Sequence, residues 1–327
     1  MLLLLLTLAC FSSELLLTYR LSALATAGYV AAGILLGCLL YLGIAVILMH
    51  LASRIMPIPM RIRSWFSLGA ALMISAYAVW NAFDVKVKEL RYALPGVREE
   101  VRIMQWSDVH LGHLRGESFL RELVELTEAK RPDVVVITGD LFDGIIRQRD
   151  GSLEVLRRLS MPVYFLEGNH DVYSGIEEIH ALMEELGVGV LRNELFMLKG
   201  VQVLGLDYML ADRDAFDMNP KVPKTYMADV LPSLPVDPDA PLVLLHHAPY
   251  GIPHALELGA DLYLAGHTHG GQLFPMTWLN EALFRYNRGL HRKGELFIYV
   301  SEGAGTAGIP LRLGTHSSID LHVLRPE

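Results

Sequence analysis

The sequence predicts an α/β domain of two β-rich layers with helices outside, carried behind N-terminal membrane-spanning helices. Three observations carry this expectation. From residue 101 onward, strand-like and helix-like stretches alternate. Several of the strand-like stretches stop at short groups of Asp, Asn and His. The charge is also unevenly placed. Residues 1–83 hold one acid, Glu14, and four bases, Arg20, Arg54, Arg61 and Arg63. Of the chain's 36 acids and 28 bases, that leaves 35 and 24 for the remaining residues, a net of −11.

The N-terminal part is apolar enough to raise the mean hydropathy of the whole chain to +0.33. Residues 21–51 form an uncharged run of 31, longer than the roughly 20 residues a helix needs to cross a bilayer. Residues 64–83 form a second such run and carry Trp65, Tyr77 and Trp80, side chains that favour the membrane interface. Residues 1–17 read as a third helix or as a signal segment, the former preferred because no basic n-region precedes them. The arginines of 52–63 argue for a cytoplasmic loop, whereas Lys86, Lys88 and Arg91 after the last run argue the reverse. We expect a membrane anchor over 1–83, a linker over 84–100 and a catalytic domain over 101–327.

Within that domain, residues 101–106 alternate as a strand and run into Ser107-Asp108-Val109-His110. A helix over 118–130 follows, with Leu120, Leu123, Val124 and Leu126 as its apolar positions, and Pro132 stops it. The wholly apolar 134–137 suits a central strand covered on both faces, and it ends at Thr138-Gly139-Asp140. A helix near 151–159 leads to a strand at 163–166, which ends at Glu167-Gly168-Asn169-His170-Asp171, with a third helix over 175–186. Asp108 to Asp140 is 32 residues and Asp140 to Asn169 is 29, one βαβ unit each. Open α/β sheets hold ligands at the carboxyl ends of their strands, so these polar groups should converge. Further strands are expected at 201–206, 242–245, 261–264, 296–300 and 319–323. Residues 207–240 read as an excursion rich in Pro and Asp with a weak helix near 226–232.

The chain's two cysteines, Cys10 and Cys38, both lie in the apolar part, so thiolate catalysis, disulfides and zinc–thiolate sites are excluded from the domain. Histidine is plentiful there, with twelve of the thirteen beyond residue 83. In Gly266-His267-Thr268-His269, positions i and i+2 of an extended backbone face one way, so two imidazoles can aim at one spot.

The ordered set Asp108-x-His110, Gly139-Asp140, Gly168-Asn169-His170-Asp171, His247 and Gly266-His267-x-His269 resembles the calcineurin-like metallophosphoesterase family, in its bacterial membrane-anchored branch. The likeness covers 101–325 and extends to Gly270-Gly271-Gln272, Tyr299-Val300-Ser301, Gly303, Gly305 and Pro310-Leu311-Arg312-Leu313-Gly314. The resemblance implies a four-layer α-β-β-α sandwich and two divalent ions bridged by a carboxylate. It implies Asp108, His110, Asp140 and His269 around one ion and Asp140, Asn169, His247 and His267 around the other. His170 would be the proton donor or phosphate contact, with Asp171 orienting it. The family usually shows His-x-Pro where this chain has His246-His247-Ala248-Pro249. Neighbouring side chains on a strand point oppositely, so His247 is expected as the ligand and His246 is not.

Mixed nitrogen and oxygen donors suit manganese, iron or zinc better than magnesium or calcium, and manganese is the expectation. Asp143 is expected to cap a turn or support a ligand, His113 to face substrate or solvent, and Arg312 to be structural or solvated. The expected activity is hydrolysis of a phosphoester or pyrophosphate on a lipid-linked substrate, such as UDP-2,3-diacylglucosamine, at a bacterial inner membrane crossed more than once. A nuclease or nucleotide phosphodiesterase is the alternative, although a net of −11 opposes a polyanion. A non-catalytic, metal-stabilised membrane scaffold is the other.

Overall fold

A computed structural model describes residues 23–143, 152–213 and 224–327. The expected first helix, 1–17, lies outside the described residues. Helix α1 (Ala23–Ile55) and helix α2 (Met60–Phe83) form a hairpin, and both are long and apolar enough to cross a membrane. Their outward surface is apolar along most of its length, with Ile47, Leu51, Trp65 and Met73 all exposed. The turn is shorter than the expected 52–63: Arg54 ends α1, and Arg61 and Arg63 begin α2. Arg63 Nη1 donates to Ser53 Oγ at 3.0 Å across it.

Two six-stranded sheets follow. The first has the order β1-β12-β2-β3-β4-β5. It comprises β1 (Lys86–Ala93), β2 (Val101–Trp106), β3 (Val134–Thr138), β4 (Val163–Leu166), β5 (Gly189–Val190) and β12 (Ser318–Arg325). The second has the order β10-β11-β9-β8-β7-β6. Its strands are β6 (Glu194–Leu198), β7 (Val201–Gly205), β8 (Leu242–Leu245), β9 (Leu262–Ala265), β10 (Gly289–Lys293) and β11 (Leu296–Val300). The runs β2-β3-β4-β5 and β11-β9-β8-β7 are parallel.

Side-chain alternation builds the layers. In β3, Val135 and Ile137 pack toward helix α3 (Glu117–Lys130), while Val134 and Val136 pack toward the other sheet. In β8, Val243 and Leu245 face the inter-sheet core and Leu242 and Leu244 face the outer helices. A strand buried on both faces reads as a continuous apolar run for this reason. Helix α3 presents Phe119, Leu120, Leu123 and Val124 inward at helical spacing, and Trp106 Nε1 donates to Thr127 Oγ1 at 3.0 Å. The result is the expected α-β-β-α sandwich.

Several expectations change in detail. Residues 84–100 are not a linker throughout, because Lys86–Ala93 pairs in parallel with β12 over its whole length. Its Lys86, Lys88, Glu89 and Arg91 hid the strand from pattern reading. Such charges are common on an edge, where they block further pairing. The hairpin is thereby tied directly to the first sheet. The element at 151–159 is a 3-10 helix, Ser152–Arg158. Helix α4 (Asn169–Glu185) begins six residues before the expected 175, with a break at Gly175, where φ is 111°. Helix α5 (Met227–Val230) marks the weak helix of the excursion. Helices α6 (Ile252–Glu257) and α7 (Met276–Leu283) were not expected.

Candidate metal centre

The carboxyl ends of β2, β3 and β4 in one sheet and of β8 and β9 in the other deliver their polar groups to one place. Asp108, His110, Asp140, His267 and His269 all have left-handed backbone, with φ of 51°, 51°, 52°, 73° and 49°. Non-glycine residues rarely adopt this conformation, at a cost of about 1 kcal/mol or more each. It turns each chain sharply after its strand and aims the side chain into the gap. Gly266 is required by close approach: a Cβ there would collide with Ser107 Oγ and Asp108 Oδ2.

Three donor clusters result, the third formed by His110, Asp143 and His170. In the first, Asp108, His110 and His269 offer donor atoms that all lie within 4.8 Å of one another. His110 Nε2 faces His269 Nε2 at 3.0 Å, and His269 Nε2 lies 3.3 Å from Asp108 Oδ1. In the second, Asp140, His247 and His267 converge equally closely. His247 Nε2 is 3.1 Å from Asp140 Oδ2, and His267 Nδ1 is 2.9 Å from Asn169 Oδ1. Asp140 also lies 3.9 Å from His110 Nε2, so it stands between the clusters.

Polar partners on the far side of two of the rings set which nitrogen points inward. His247 Nδ1 donates to Thr138 O at 2.9 Å, leaving Nε2 directed at the centre. His110 Nδ1 lies 3.3 Å from Asp143 Oδ1, again leaving Nε2 inward. Such outer partners hold ligand imidazoles in a metal-ready tautomer.

The electrostatics describe a cation-seeking site. Burial raises Asp108. Burial also pushes Asp140 up, but His247, His170 and His110 outweigh it and hold Asp140 well below the usual range. Burial lowers His247, yet Asp140 and Asp108 raise it to about 9. His267 is lowered to about 3 by burial and the neighbouring His247. His269 is pushed well down by burial, His110 and Arg312. The carboxylates thus favour the protonated form of His110 and His247, while burial and neighbouring cations favour the neutral form of His267 and His269. Inward-facing nitrogens in contact with each other and with carboxylates fit divalent ions, which would take the place of those protons.

His170 is about one-third exposed at the rim, and its backbone N–H donates to Asp140 Oδ1 at 2.8 Å. The carboxylate facing its ring is Asp143, with Oδ1 3.7 Å from Nδ1. Asp171, expected as the orienter, has another task. Its oxygens accept from the N–H groups of Gly168 (2.9 Å), Phe142 (3.1 Å) and Leu141 (3.3 Å), capping α4 and pinning the β3 turn. Burial and Asp140 raise it to about 7. The physical reason is the helix start at Asn169, which places Asp171 in the first turn pointing back at its own cap.

His246 points away from the centre, as expected. Nδ1 donates to Ala248 O at 2.7 Å, and Nε2 accepts from Met209 N at 3.3 Å. His113 does not face the centre: it bonds Thr26 Oγ1 at 3.1 Å and stacks on Tyr29, both in α1. Arg312 is structural and fully buried. Its Nη2 donates to Glu302 O and Gly305 O, each at 2.6 Å, and lies 3.2 Å from His269 Nδ1. Tyr173, Tyr208 and Tyr250 were missed by sequence reading. Their rings lie within about 6 Å of His170, His247 and His267 respectively, and isolated tyrosines carry no signal of such a role.

Residues 101–271 match the calcineurin-like phosphoesterase family. The chain belongs to that family. A metallophosphoesterase of Helicobacter pylori is 33% identical over 276 residues, covering 81% of this chain and 72% of its own length. One from Aquifex aeolicus is 30% identical, covering 74% of this chain and 93% of its own. A zebrafish (Danio rerio) transmembrane protein with a metallophosphoesterase domain is 32% identical, covering 74% of this chain and 56% of its own length. This calcineurin-like phosphoesterase is therefore a metal-dependent phosphoric ester hydrolase. The family is dimetal-dependent, and the clusters Asp108–His110–His269 and Asp140–His247–His267 are candidate ligand sets.

Proposed function

We propose that this protein is a membrane-held phosphoesterase with a dinuclear centre, acting on a phosphoester or pyrophosphate at the bilayer surface. Asp108, His110, Asp140 and His269 hold one ion, and Asp140, Asn169, His247 and His267 hold the other, with manganese the expected metal. Bound ions supply charge stabilisation of a phosphoryl group and a water-derived nucleophile at neutral pH. The observation that carries this reading is the pair of donor clusters at the carboxyl ends of two sheets, with Asp140 of one lying 3.9 Å from His110 Nε2 of the other.

The chain's own residues divide the remaining work. His170 stands at the rim beside the first cluster, its ring 4.9 Å from that of His110. There it holds a proton near the leaving oxygen. Asp143 faces Nδ1 of both His110 and His170 and orients the two rings together. Asn169 offers a neutral oxygen, which limits charge build-up. The tyrosines around the centre narrow it and exclude water.

A lipid-linked phosphate is the substrate class best supported, because the apolar hairpin docks on the loops that flank the centre. Arg312 N donates to Ala78 O at 2.9 Å, and Asn81 Nδ2 donates to Arg312 O and Thr315 O. Arg115 Nη2 donates to Ala82 O at 2.7 Å. UDP-2,3-diacylglucosamine is one such substrate, and a bacterial inner membrane suits the bacterial relatives. The test is turnover by the full chain in nanodiscs with Mn²⁺, comparing lipid pyrophosphates and lipid phosphoesters with soluble nucleotide esters. His170→Asn should cost about 10²–10⁴-fold in kcat with both ions retained. Turnover of soluble esters alone would overturn the lipid reading.

A further inference from the structure

Helix α7 has two unlike faces. On one, Thr277 is buried and Asn280 Nδ2 donates to Thr268 O at 3.1 Å, between His267 and His269. On the other, Met276, Trp278, Leu279 and Leu283 are 46%, 66%, 49% and 68% exposed. Four large apolar side chains on one short helix form a patch that a water-facing surface seldom carries. An exposed arginine, Arg285, follows directly.

This patch continues the surface of the hairpin. Leu273, three residues before α7, packs in one cluster with Tyr41 of α1, Ala71 and Ala78 of α2, and Leu311. Phe274 N donates to Leu313 O at 2.8 Å, holding the start of α7 against the same loop. Leu311 sits directly against Gly37.

Helix lengths then decide the depth. Direct domain contacts reach along α2 from its C-terminal end back to Ala78, about 8 Å at the helical rise, and along α1 from Thr26 to Gly37, about 16 Å. Beyond them remain about 27 Å of α2 and about 27 Å of α1. Neither remainder spans a hydrocarbon core of about 30 Å. If the hairpin crosses the bilayer, its docked part and the domain elements beside it are at lipid depth too.

We propose that α7 is an interfacial membrane helix, with Met276, Trp278, Leu279 and Leu283 in the acyl region and Arg285 among anionic headgroups. It seats the centre at the level of the headgroups, with Asn280 connecting the embedded helix to the loop that carries His267 and His269. This rests on the proposed crossing of the membrane by the hairpin.

The test uses the full chain with Cys10 and Cys38 replaced by Ser, reconstituted in nanodiscs of phosphatidylcholine and phosphatidylglycerol. A polarity-sensitive NBD probe is placed at Leu279→Cys, at Ile47→Cys on the hairpin or at Glu177→Cys on the far side of the domain. All three positions are exposed, so the substitutions leave the core intact. A lipid with a nitroxide near the headgroup end of one acyl chain should quench the probes at 279 and 47 by roughly half and spare 177. Quenching at 47 but not at 279 overturns the proposal and leaves the hairpin's insertion standing. Quenching at neither overturns both. A blue-shifted but unquenched probe at 279 means that protein, such as a second copy, covers α7, and this also overturns the proposal.

Discussion

Arg312→Met removes a guanidinium and leaves a stem of similar size. Arg312 is fully buried, and burial lowers its pKa to about 10. Its Nη2 protons go to Glu302 O and Gly305 O, and Nη1 donates to Thr315 Oγ1 at 3.1 Å. Methionine donates to none of them. Two buried carbonyls without donors cost about 1–3 kcal/mol each. Relief from burying a cation offsets part of that. A net loss of about 3 kcal/mol follows, lowering the melting temperature by about 6–12 °C. Thermal unfolding in detergent with excess chelator isolates this effect from metal binding. The variant should also lose metal affinity by about 10–100-fold, more at pH 6 than at pH 8, because Arg312 helps keep His269 neutral. A melting temperature within about 1 °C of the parent under chelator would refute the reasoning from unsatisfied carbonyls.

Three further predictions follow from the tertiary contacts. Asp143→Asn should lower kcat by about 10–100-fold with a shifted pH profile and little change in melting, since its charge serves His110 and His170. Asp171→Asn should instead lower stability by about 1–2 kcal/mol, because one amide oxygen replaces a carboxylate that accepts three N–H groups. A large kcat loss at unchanged melting for Asp171→Asn would return it to the role of orienter. His322, fully buried, accepts from Tyr92 Oη at Nδ1 and donates from Nε2 to Gln105 Oε1, and burial lowers it from 6.5 to about 3. The folded state therefore binds fewer protons than the unfolded one. Its contribution is whole above pH 6.5 and falls as pH drops toward 3, by about 1.4 kcal/mol per unit. Denaturant unfolding at pH 7 and pH 5 should show about 2 kcal/mol of extra acid sensitivity relative to His322→Gln. Equal sensitivity would show that His322 is not the group responsible.

The sequence by itself determined the parallel βαβ core and which polar groups end its strands. Apolar runs such as 134–137 and the spacing from Asp108 through Asp140 to Asn169 are local signals, set by chain period and strand length. It also indicated that Asp108, Asp140 and Asn169 share one edge, because parallel strands of one sheet put their carboxyl ends together, whereas the Gly266-His267-Thr268-His269 stretch, which follows a strand of the other sheet, joined them only through the family resemblance. Strand alternation indicated that His246 and His247 could not both be ligands, and the family's His-x-Pro pattern selected His247. The tertiary structure decided what depends on contacts between distant segments. Lys86–Ala93 is a strand only because β12 lies beside it, and its edge charges carry no strand period. Asp143 rather than Asp171 faces His170, because α4 starts at Asn169 and turns Asp171 back onto its own N-terminus. Arg312 reaches His269 across 43 residues of chain, and His113 packs against Thr26 and Tyr29 of the apolar hairpin. The left-handed backbone at Asp108, His110, Asp140, His267 and His269 is the clearest case. Nothing in those residue types demands it, and only the packing of two sheets around one centre holds it in place.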